Sequence, residues 1–302
     1  MTGIRTATAH LEPLTTRSIG LAIFVSILWG GNLVSIRIGL DSVPPLWSAF
    51  WRMALGTVIV TAWALRSGVS VRPAKGEGWP LFMLSALFTA QIGLLNHGTT
   101  LTSPAFGVVI LNCYPVFANL IGHFFPGMEK PIDAARALGL ALAIAGMAVL
   151  TFGQAVSKLA PDPVTGNILL ILSALLLGVR QVYTRWLVQR IEPTRTVVWQ
   201  MGWSVPLFLA IAIVSEPPVF GHVTREAVAA ISYQGAVVAG ICFIVWANLL
   251  KRHAAGTLSM FAFLVPITGI ALSSFFFGEP IRVTLLAGGV LVLAGVYTVT
   301  RQ

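Results

Sequence analysis

An arginine inside a long apolar segment is the first residue whose type and place could do chemistry. Arg180 lies in LLLGVRQVYTRWLV, residues 175–188, of a chain with only 10 % charged residues. Counted from Gly166 at 1.5 Å per residue, Arg180 lies about 21 Å into a helix, within a hydrocarbon layer of about 30 Å. A charge there costs about 2.5–3.5 kcal/mol, which its surroundings must offset. In a cavity, the guanidinium could bind a carboxylate in bidentate fashion; alternatively, the side chain extends to the lipid headgroups.

Other polar side chains in apolar segments are candidates for the same cavity. Asn112, Pro115 and Asn119 lie at i, i+3 and i+7 on one helical face, where the proline leaves a backbone carbonyl without its usual partner. The remaining candidates are Asn32, Gln91 and His97. Each amide could bind substrate or simply bond a neighbouring helix. The histidine could carry a proton for coupling or have a structural role.

Aromatic side chains and prolines complete the candidate set. Four aromatic residues lie away from the ends of their segments and could form a wall for substrate side chains, although interfacial belts account for many membrane tryptophans. They are Trp29, Tyr183, Trp203 and Trp246. Three prolines are candidate kinks or hinges for gating: Pro115, Pro206 and Pro266.

The elements that must position these residues are membrane-spanning helices. The chain has 302 residues, 56 % of them hydrophobic, and a mean hydropathy of +0.86. A helix that crosses hydrocarbon needs about 20 mostly apolar residues. Ten runs meet that length, which predicts an all-α integral membrane protein with ten transmembrane helices. The runs are 18–39, 45–65, 79–100, 104–125, 133–153, 166–187, 195–215, 227–250, 256–277 and 281–299.

The distribution of basic residues predicts the orientation. With the N-terminus in the cytoplasm, thirteen Lys and Arg fall inside and three outside, which is a strong positive-inside bias. The inside set is Arg5, Arg17, Arg66, Arg72, Lys75, Lys130, Arg136, Arg185, Arg190, Arg195, Lys251, Arg252 and Arg301; the outside set is Lys158, Arg225 and Arg282. We therefore expect a multi-pass protein of the inner (plasma) membrane with both termini cytoplasmic. The bias explains the net charge of +9 without a nucleic-acid partner. Arg52, beside Trp47 and Trp51, is predicted to be an interfacial anchor.

The two halves of the chain resemble each other. A shift of 148 residues aligns LWGGNLVSIRI (28–38) with LLGVRQVYTRW (176–186), and pairs Asn32 with Arg180 and Arg52 with Gln200. Shifts of 149 to 151 align 114–146 with 265–295. Each half holds five spans, an odd number, so the second half enters the membrane from the opposite side. The sequence thus predicts two inverted five-helix repeats, an architecture of secondary transporters.

This repeat predicts the division of the chain. We expect a cytoplasmic tail at 1–17, a first repeat at 18–153, an extracytoplasmic connection at 154–165 and a second repeat at 166–302. The small residues Gly139, Ala143, Gly146, Gly288 and Gly295 form faces for close helix packing, within the chain or between copies.

Several short patterns together resemble one transporter superfamily. They are W-G-x-N at residues 29–32, Pro44-Pro45 with Arg52, and Pro115-x13-Glu129 or Pro266-x12-Glu279 followed by Gly-x6-Gly. The chain resembles the drug/metabolite transporter superfamily, in its ten-helix EamA type. Within it, the chain is similar to bacterial amino-acid exporters, including aromatic amino-acid exporters of the YddG type. The resemblance implies a central cavity and alternating access.

The function expected from these observations is export of amino acids or related small metabolites. HExxH, GxSxG, GxxxxGK[ST] and cysteine clusters do not occur, so we expect no enzyme activity, catalytic residue, metal or cofactor. No carboxylate lies deep in a span, so a proton relay through an intramembrane acid is not visible. The alternatives are a multidrug or nucleotide-sugar carrier, which one deep arginine disfavours, and a passive channel.

Overall fold

The computed structural model describes residues 14–122, 133–217, 222–253, 258 and 260–300, and these are organised as ten helical segments. The first five are α1 (Thr16–Gly39), α2 (Pro45–Arg66), α3 (Gly78–Leu101), α4 (Pro104–Leu111 and Tyr114–Gly122) and α5 (Ala134–Gly153). The second five are α6 (Pro163–Leu187), α7 (Pro193–Ser215), α8 (Arg225–Ser232, Tyr233–Cys242 and Phe243–Arg252), α9 (Met260–Phe263 and Leu264–Phe277) and α10 (Val283–Thr300). Within these ranges, nine segments are long and apolar enough to cross a membrane, and α9 is shorter.

Local sequence fixes where most helices begin. A side-chain oxygen just before the first turn accepts a backbone N–H, as Asp162 does from Thr165 and Glu192 from Arg195. Four helices start with a proline, whose missing N–H has no intrahelical partner to lose. These are Pro45, Pro104, Pro163 and Pro193. The short loops therefore reverse the chain at defined residues.

Three helices depart from the continuous helices that the sequence predicts. The run 104–125 is broken by a turn at Asn112 and Cys113, since Pro115 cannot donate a backbone hydrogen bond to the preceding turn. The middle of α8, Tyr233–Cys242, is π-helix, and α9 opens with a 3₁₀ turn. The π segment presents Gly235 and Gly240 to α2, where a Cβ on Gly235 would lie 2.9 Å from the Arg52 carbonyl oxygen.

The last helix of each repeat packs tightly against the other through glycine. A Cβ on Gly139 of α5 would lie 2.9 Å from the Gly295 carbonyl oxygen, and a Cβ on Gly295 of α10 would lie 2.6 Å from the Gly139 carbonyl oxygen. Two turns further along α5, a Cβ on Gly146 would lie 2.8 Å from the Gly288 carbonyl oxygen. These small-residue faces therefore pack α5 on α10 within one chain.

A second pair of close approaches follows the repeat. Gly30 of α1 lies against Thr268 of α9, where a Cβ would overlap the threonine side chain. Gly178 of α6, 148 residues later, lies against α4, where a Cβ would be 2.9 Å from the Ala118 nitrogen. The glycine in each half thus lets the first helix of one repeat approach the fourth helix of the other.

The two faces of the bundle are each joined by contacts between the repeats. On the face of the N-terminus, Arg195 at the start of α7 forms a salt bridge with Glu77 at 2.9 Å and donates to the Ser70 carbonyl oxygen at 2.9 Å. On the opposite face, the Glu216 carboxylate accepts the backbone N–H groups of Leu46 and Trp47 at the start of α2. Trp47 and Arg195 are 148 residues apart, so the repeats place these contacts at corresponding positions.

The Glu77–Arg195 contact predicts a pH dependence of stability. Burial raises the pKa of Glu77, but the Ala74 N–H and the Arg195 guanidinium together lower it by more. The pKa therefore lies below its ordinary value. A carboxyl with a lowered folded-state pKa stabilises the fold above its unfolded-state pKa, and the contribution is lost as pH falls through the folded-state pKa. We expect Glu77→Gln to lower Tm in detergent at pH 7 and to have a smaller effect at pH 4. A difference that stays constant with pH would contradict this assignment.

Candidate functional site

A cavity of about 130 Å³ lies between the two repeats. It is lined by the first three helices of each repeat, α1–α3 and α6–α8, together with one residue of α4. The lining residues are Trp29, Asn32, Arg52, Met53, Phe88, Gln91, Ile92, Leu95, Leu111, Leu177, Arg180, Val197, Gln200, Met201, Val238, Ala239 and Phe243. The walls are thus largely apolar, with a few polar groups that can orient a solute.

Arg180 of α6 is one of the two charged groups of this cavity. Its side chain is buried, its Nη1 donates to Gln200 Oε1 at 3.1 Å, and its guanidinium carbon lies 4.9 Å from the centre of the Phe88 ring. Its Nε–H has no partner. The structure therefore places Arg180 against the cavity, the first of the two alternatives that the sequence left open, with part of its donor capacity unused.

Arg52 of α2 is the second charged group, and the prediction that it anchors the membrane interface is wrong. It is 5 % exposed, lines the cavity, and has no acceptor for its Nε–H or for one of its terminal nitrogens, Nη1. Placing α2 against α7 and α8 turns this face of the helix inward. A buried guanidinium that lacks partners requires an anion or water.

Buried amides supply the neutral polar groups of the cavity. Gln91 of α3 donates to Ser173 Oγ at 3.1 Å, and its Oε1 is buried without a donor. Asn32 of α1 also has a buried Oδ1 without a donor. Gln200 of α7 accepts from Arg180. The cavity thus offers unused acceptors beside unused cationic donors.

The cavity follows the internal repeat. Six pairs of its lining residues are separated by 148 positions, so each repeat contributes equivalent positions to the wall. The pairs are Trp29/Leu177, Asn32/Arg180, Arg52/Gln200, Met53/Met201, Gln91/Ala239 and Leu95/Phe243. Two of these pairs combine an arginine with an amide. In one pair the arginine is Arg52, on the second helix of the first repeat; in the other it is Arg180, on the first helix of the second repeat. Within these two pairs, each repeat contributes one arginine and one amide, and the first repeat adds a second amide, Gln91.

Four of the candidate residues predicted from the sequence meet at the cavity. They are Trp29, Asn32, Gln91 and Arg180. Trp246 does not line the cavity, but its ring centre lies 5.1 Å from that of Trp29, which does. The cavity residues that the sequence reasoning missed include Arg52, Gln200, Phe88 and Phe243. The 148-residue pairing of Arg52 with Gln200 and of Asn32 with Arg180 was the signal that could have found the first two.

Five other candidates lie away from this cavity. His97 is half-exposed near the end of α3, with Nε2 4.0 Å from a Glu216 oxygen. Asn119 is exposed and donates to the Pro115 carbonyl oxygen. Asn112 lines a separate pocket between α4, α9 and α10 and donates to the Val108 carbonyl oxygen. The other two are aromatic: Tyr183 donates to the Pro80 carbonyl oxygen, and Trp203 packs on Phe82 and Trp199.

The three prolines occupy different settings. Pro115 follows the break in α4, Pro206 lies inside α7, and Pro266 is buried in the first turn of the α-helical part of α9. Each removes one backbone donor from a helix that packs against the other repeat. Their role as hinges stays a prediction.

The family comparison agrees with this duplicated architecture. The model of the EamA-like transporter family matches the chain twice, over residues 16–152 and 164–301. The chain belongs to the EamA-like transporter family. It is therefore a multi-pass membrane transporter rather than an enzyme, with an all-α fold made of two five-helix repeats of opposite polarity and with a small-molecule substrate.

Curated relatives and a solved structure span nearly the whole chain. A probable amino-acid metabolite efflux pump of Salmonella typhimurium is 26 % identical over 92 % of this chain and 92 % of the relative, and its Escherichia coli counterpart is 25 % identical over the same shares. An uncharacterized transporter of Bacillus subtilis, YoaV, is 21 % identical over 91 % of this chain and 94 % of the relative. A solved crystal structure aligns with a TM-score of 0.66 and 19 % identity over 94 % of this chain and 98 % of that chain, which shows a shared fold.

Proposed function

We propose that this chain is a secondary transporter that exports amino acids or related small metabolites by alternating access. Its substrate site is the cavity between the repeats. The observation that carries the proposal is the pair of buried guanidinium groups, Arg52 and Arg180, each with an N–H that lacks a protein acceptor. A planar guanidinium can bind a carboxylate in a bidentate arrangement, and every amino acid carries a carboxylate.

The size of the cavity favours a small solute over the alternatives. Its volume of about 130 Å³ lies below the roughly 300–1,000 Å³ of pockets that hold drug-sized ligands. Because Arg52 is a second arginine in the cavity, the number of basic residues no longer disfavours a nucleotide sugar. The cavity volume is therefore what separates an amino acid from a nucleotide sugar. The relatives from Salmonella typhimurium and Escherichia coli, both named as probable amino-acid metabolite efflux pumps, support the same choice.

Alternating access is supported by the placement of contacts on both faces. The Arg195–Glu77 contact on one face and the Glu216 contact with α2 on the other link the two repeats at corresponding positions. In an inverted repeat, the two halves can exchange conformations and so open a central site to each side in turn. A passive channel, in contrast, would need a path open to both faces at once while the contacts on both faces stay intact.

The membrane orientation and the limits of the repeats are part of the proposal. We place both termini in the cytoplasm and the protein in the inner membrane, because the basic residues are biased to one face. The tail then covers 1–17, the repeats cover 18–153 and 166–302, and the extracytoplasmic connection covers 154–165.

Solute counterflow in proteoliposomes tests the proposed function. Liposomes loaded with unlabelled solute receive the matching labelled solute outside, for a panel of amino acids, a nucleotide sugar and a cationic dye. We expect accumulation of label only for amino acids, because a carrier exchanges solute one to one across the membrane. Protein-free liposomes and liposomes with heat-denatured protein are the controls.

Each outcome of this assay separates one alternative. Exchange of the nucleotide sugar or the dye without amino acids would replace the proposed function with the corresponding alternative. Equilibration of label without transient accumulation would indicate a passive channel, because a channel does not couple outward and inward movement.

A further inference from the structure

We propose, on the basis of the function proposed above, that the preferred substrate is an amino acid with two carboxylates. One carboxylate would bind Arg52 and the other Arg180, while the ammonium group would bind the unpaired amide oxygens of Gln91 and Asn32. Hydrogen-bond donors and acceptors without protein partners line this one cavity and match these three groups.

The charge of the cavity is the first argument. Two arginines line it, and its wall contains no Asp or Glu among the residues that the structure describes. Both guanidiniums are buried, with 5 % exposure for Arg52 and 8 % for Arg180. A monocarboxylate would neutralise one of them and leave the other as an uncompensated buried charge, which is strongly unfavourable. A solute with two carboxylates supplies a counter-charge to each.

The separate origin of the two arginines is the second argument. Arg52 belongs to α2 of the first repeat and Arg180 to α6 of the second, so the two guanidiniums reach the cavity from different repeats. Gln200 and the Phe88 ring hold Arg180 in place, while its Nε–H stays free. Arg52 has free donors of its own at Nε and Nη1. Each arginine can therefore bind a separate acidic group.

The unused acceptors are the third argument, and they distinguish an amino acid from a simple dicarboxylate. Gln91 Oε1 and Asn32 Oδ1 are buried without a donor in the protein. Leaving such buried oxygens unpaired is unfavourable, because they lose the hydrogen bonds that water would otherwise donate to them. A substrate ammonium group carries three N–H donors and no acceptor, so it can satisfy both oxygens. A dicarboxylate without an amine cannot.

The experiment compares near-isosteric solutes on the intact protein. Binding of labelled glutamate to purified protein is competed with unlabelled glutamate, glutamine, succinate and phenylalanine, and counterflow is measured for the same four solutes. Because a hydrogen bond to a charged group contributes more than a neutral one, we expect glutamate to bind about ten- to a hundredfold more tightly than glutamine. Arg52→Gln, which installs the residue of the paired position, should reduce that ratio to about one. Arg66→Gln, an exposed residue of the same helix, should leave it unchanged.

The comparison with wild-type protein is decisive even if the cavity variant does not fold. Equal binding of glutamate and glutamine, or tighter binding of phenylalanine, would overturn the inference and leave the proposed function intact, since an amino acid is still exchanged. Succinate binding as tight as glutamate binding would overturn the assignment of the amine. Exchange of no amino acid at all would overturn the proposed function itself.

Discussion

Replacing Arg180 with alanine should weaken substrate binding by about 2–5 kcal/mol, which is roughly thirtyfold or more in affinity. The substitution removes a buried guanidinium that donates to Gln200 and lies over Phe88. On the proposed function, it also leaves the substrate carboxylate without its partner. The measurement is the concentration dependence of amino-acid counterflow in proteoliposomes. We expect the half-saturating concentration to rise by this factor while the protein stays monodisperse in detergent.

The matched control is Arg185→Ala. Arg185 lies on the same helix, five residues further on, but it is exposed and does not line the cavity. Its replacement should leave counterflow near the wild-type level, as expected for a surface substitution. Undiminished exchange by Arg180→Ala would show that this arginine stabilises the wall without contacting substrate.

Replacing Gly295 with alanine should destabilise the fold more than any other single-methyl addition in α10. The new methyl group would lie 2.6 Å from the Gly139 carbonyl oxygen and 2.7 Å from the Ala143 nitrogen. Both are backbone atoms of α5, so the helices must separate to admit the methyl group. Overpacking of this kind costs about 1–3 kcal/mol, and we expect a lower Tm in detergent and a loss of monodisperse protein.

Gly289→Ala on the same helix is the control for this substitution. A Cβ on Gly289 would meet only Val109 Cγ1, at 3.9 Å, which is ordinary contact. Alanine favours helix over glycine by up to about 1 kcal/mol, so the control should keep or raise Tm. If both variants have the wild-type Tm, the close packing of α5 on α10 does not limit stability.

The helices and the duplication could be predicted from the sequence, because both depend on patterns local to the chain. Apolar runs of membrane-crossing length located the ten helices to within a few residues at most ends. The alignment of 28–38 with 176–186 predicted the repeat, and Gly30 and Gly178 within it make equivalent close approaches to α9 and α4. Helix type was less predictable: the break at Asn112 and the π segment of α8 depend on packing partners from elsewhere in the chain.

The site was predictable only in part, because depth along a helix does not tell which way a side chain points. Asn119 shares a face with Asn112 and Pro115, yet it is exposed. Arg52 lies next to Trp51, which is 53 % exposed, while Arg52 itself is 5 % exposed, since adjacent residues of a helix point about 100° apart. The sequence pattern therefore suits Trp51, which is exposed, but the same placement was wrongly extended to its neighbour Arg52. Only the contacts of α2 with the second repeat separate the two.

The presence of two arginines, Arg52 and Arg180, in one cavity bears on how the proposed carrier would return when it is empty. If the cavity closed to both sides of the membrane while empty, its two guanidiniums would be buried without a counter-anion, which costs desolvation free energy. A bound anionic substrate would offset that cost. In the proposed alternating-access cycle, the closed intermediate would therefore be easier to reach with substrate bound than without it. Transport by such a protein would proceed faster as one-for-one exchange than as net flux, because the slow step of net flux is the passage of the vacant cavity between the two sides.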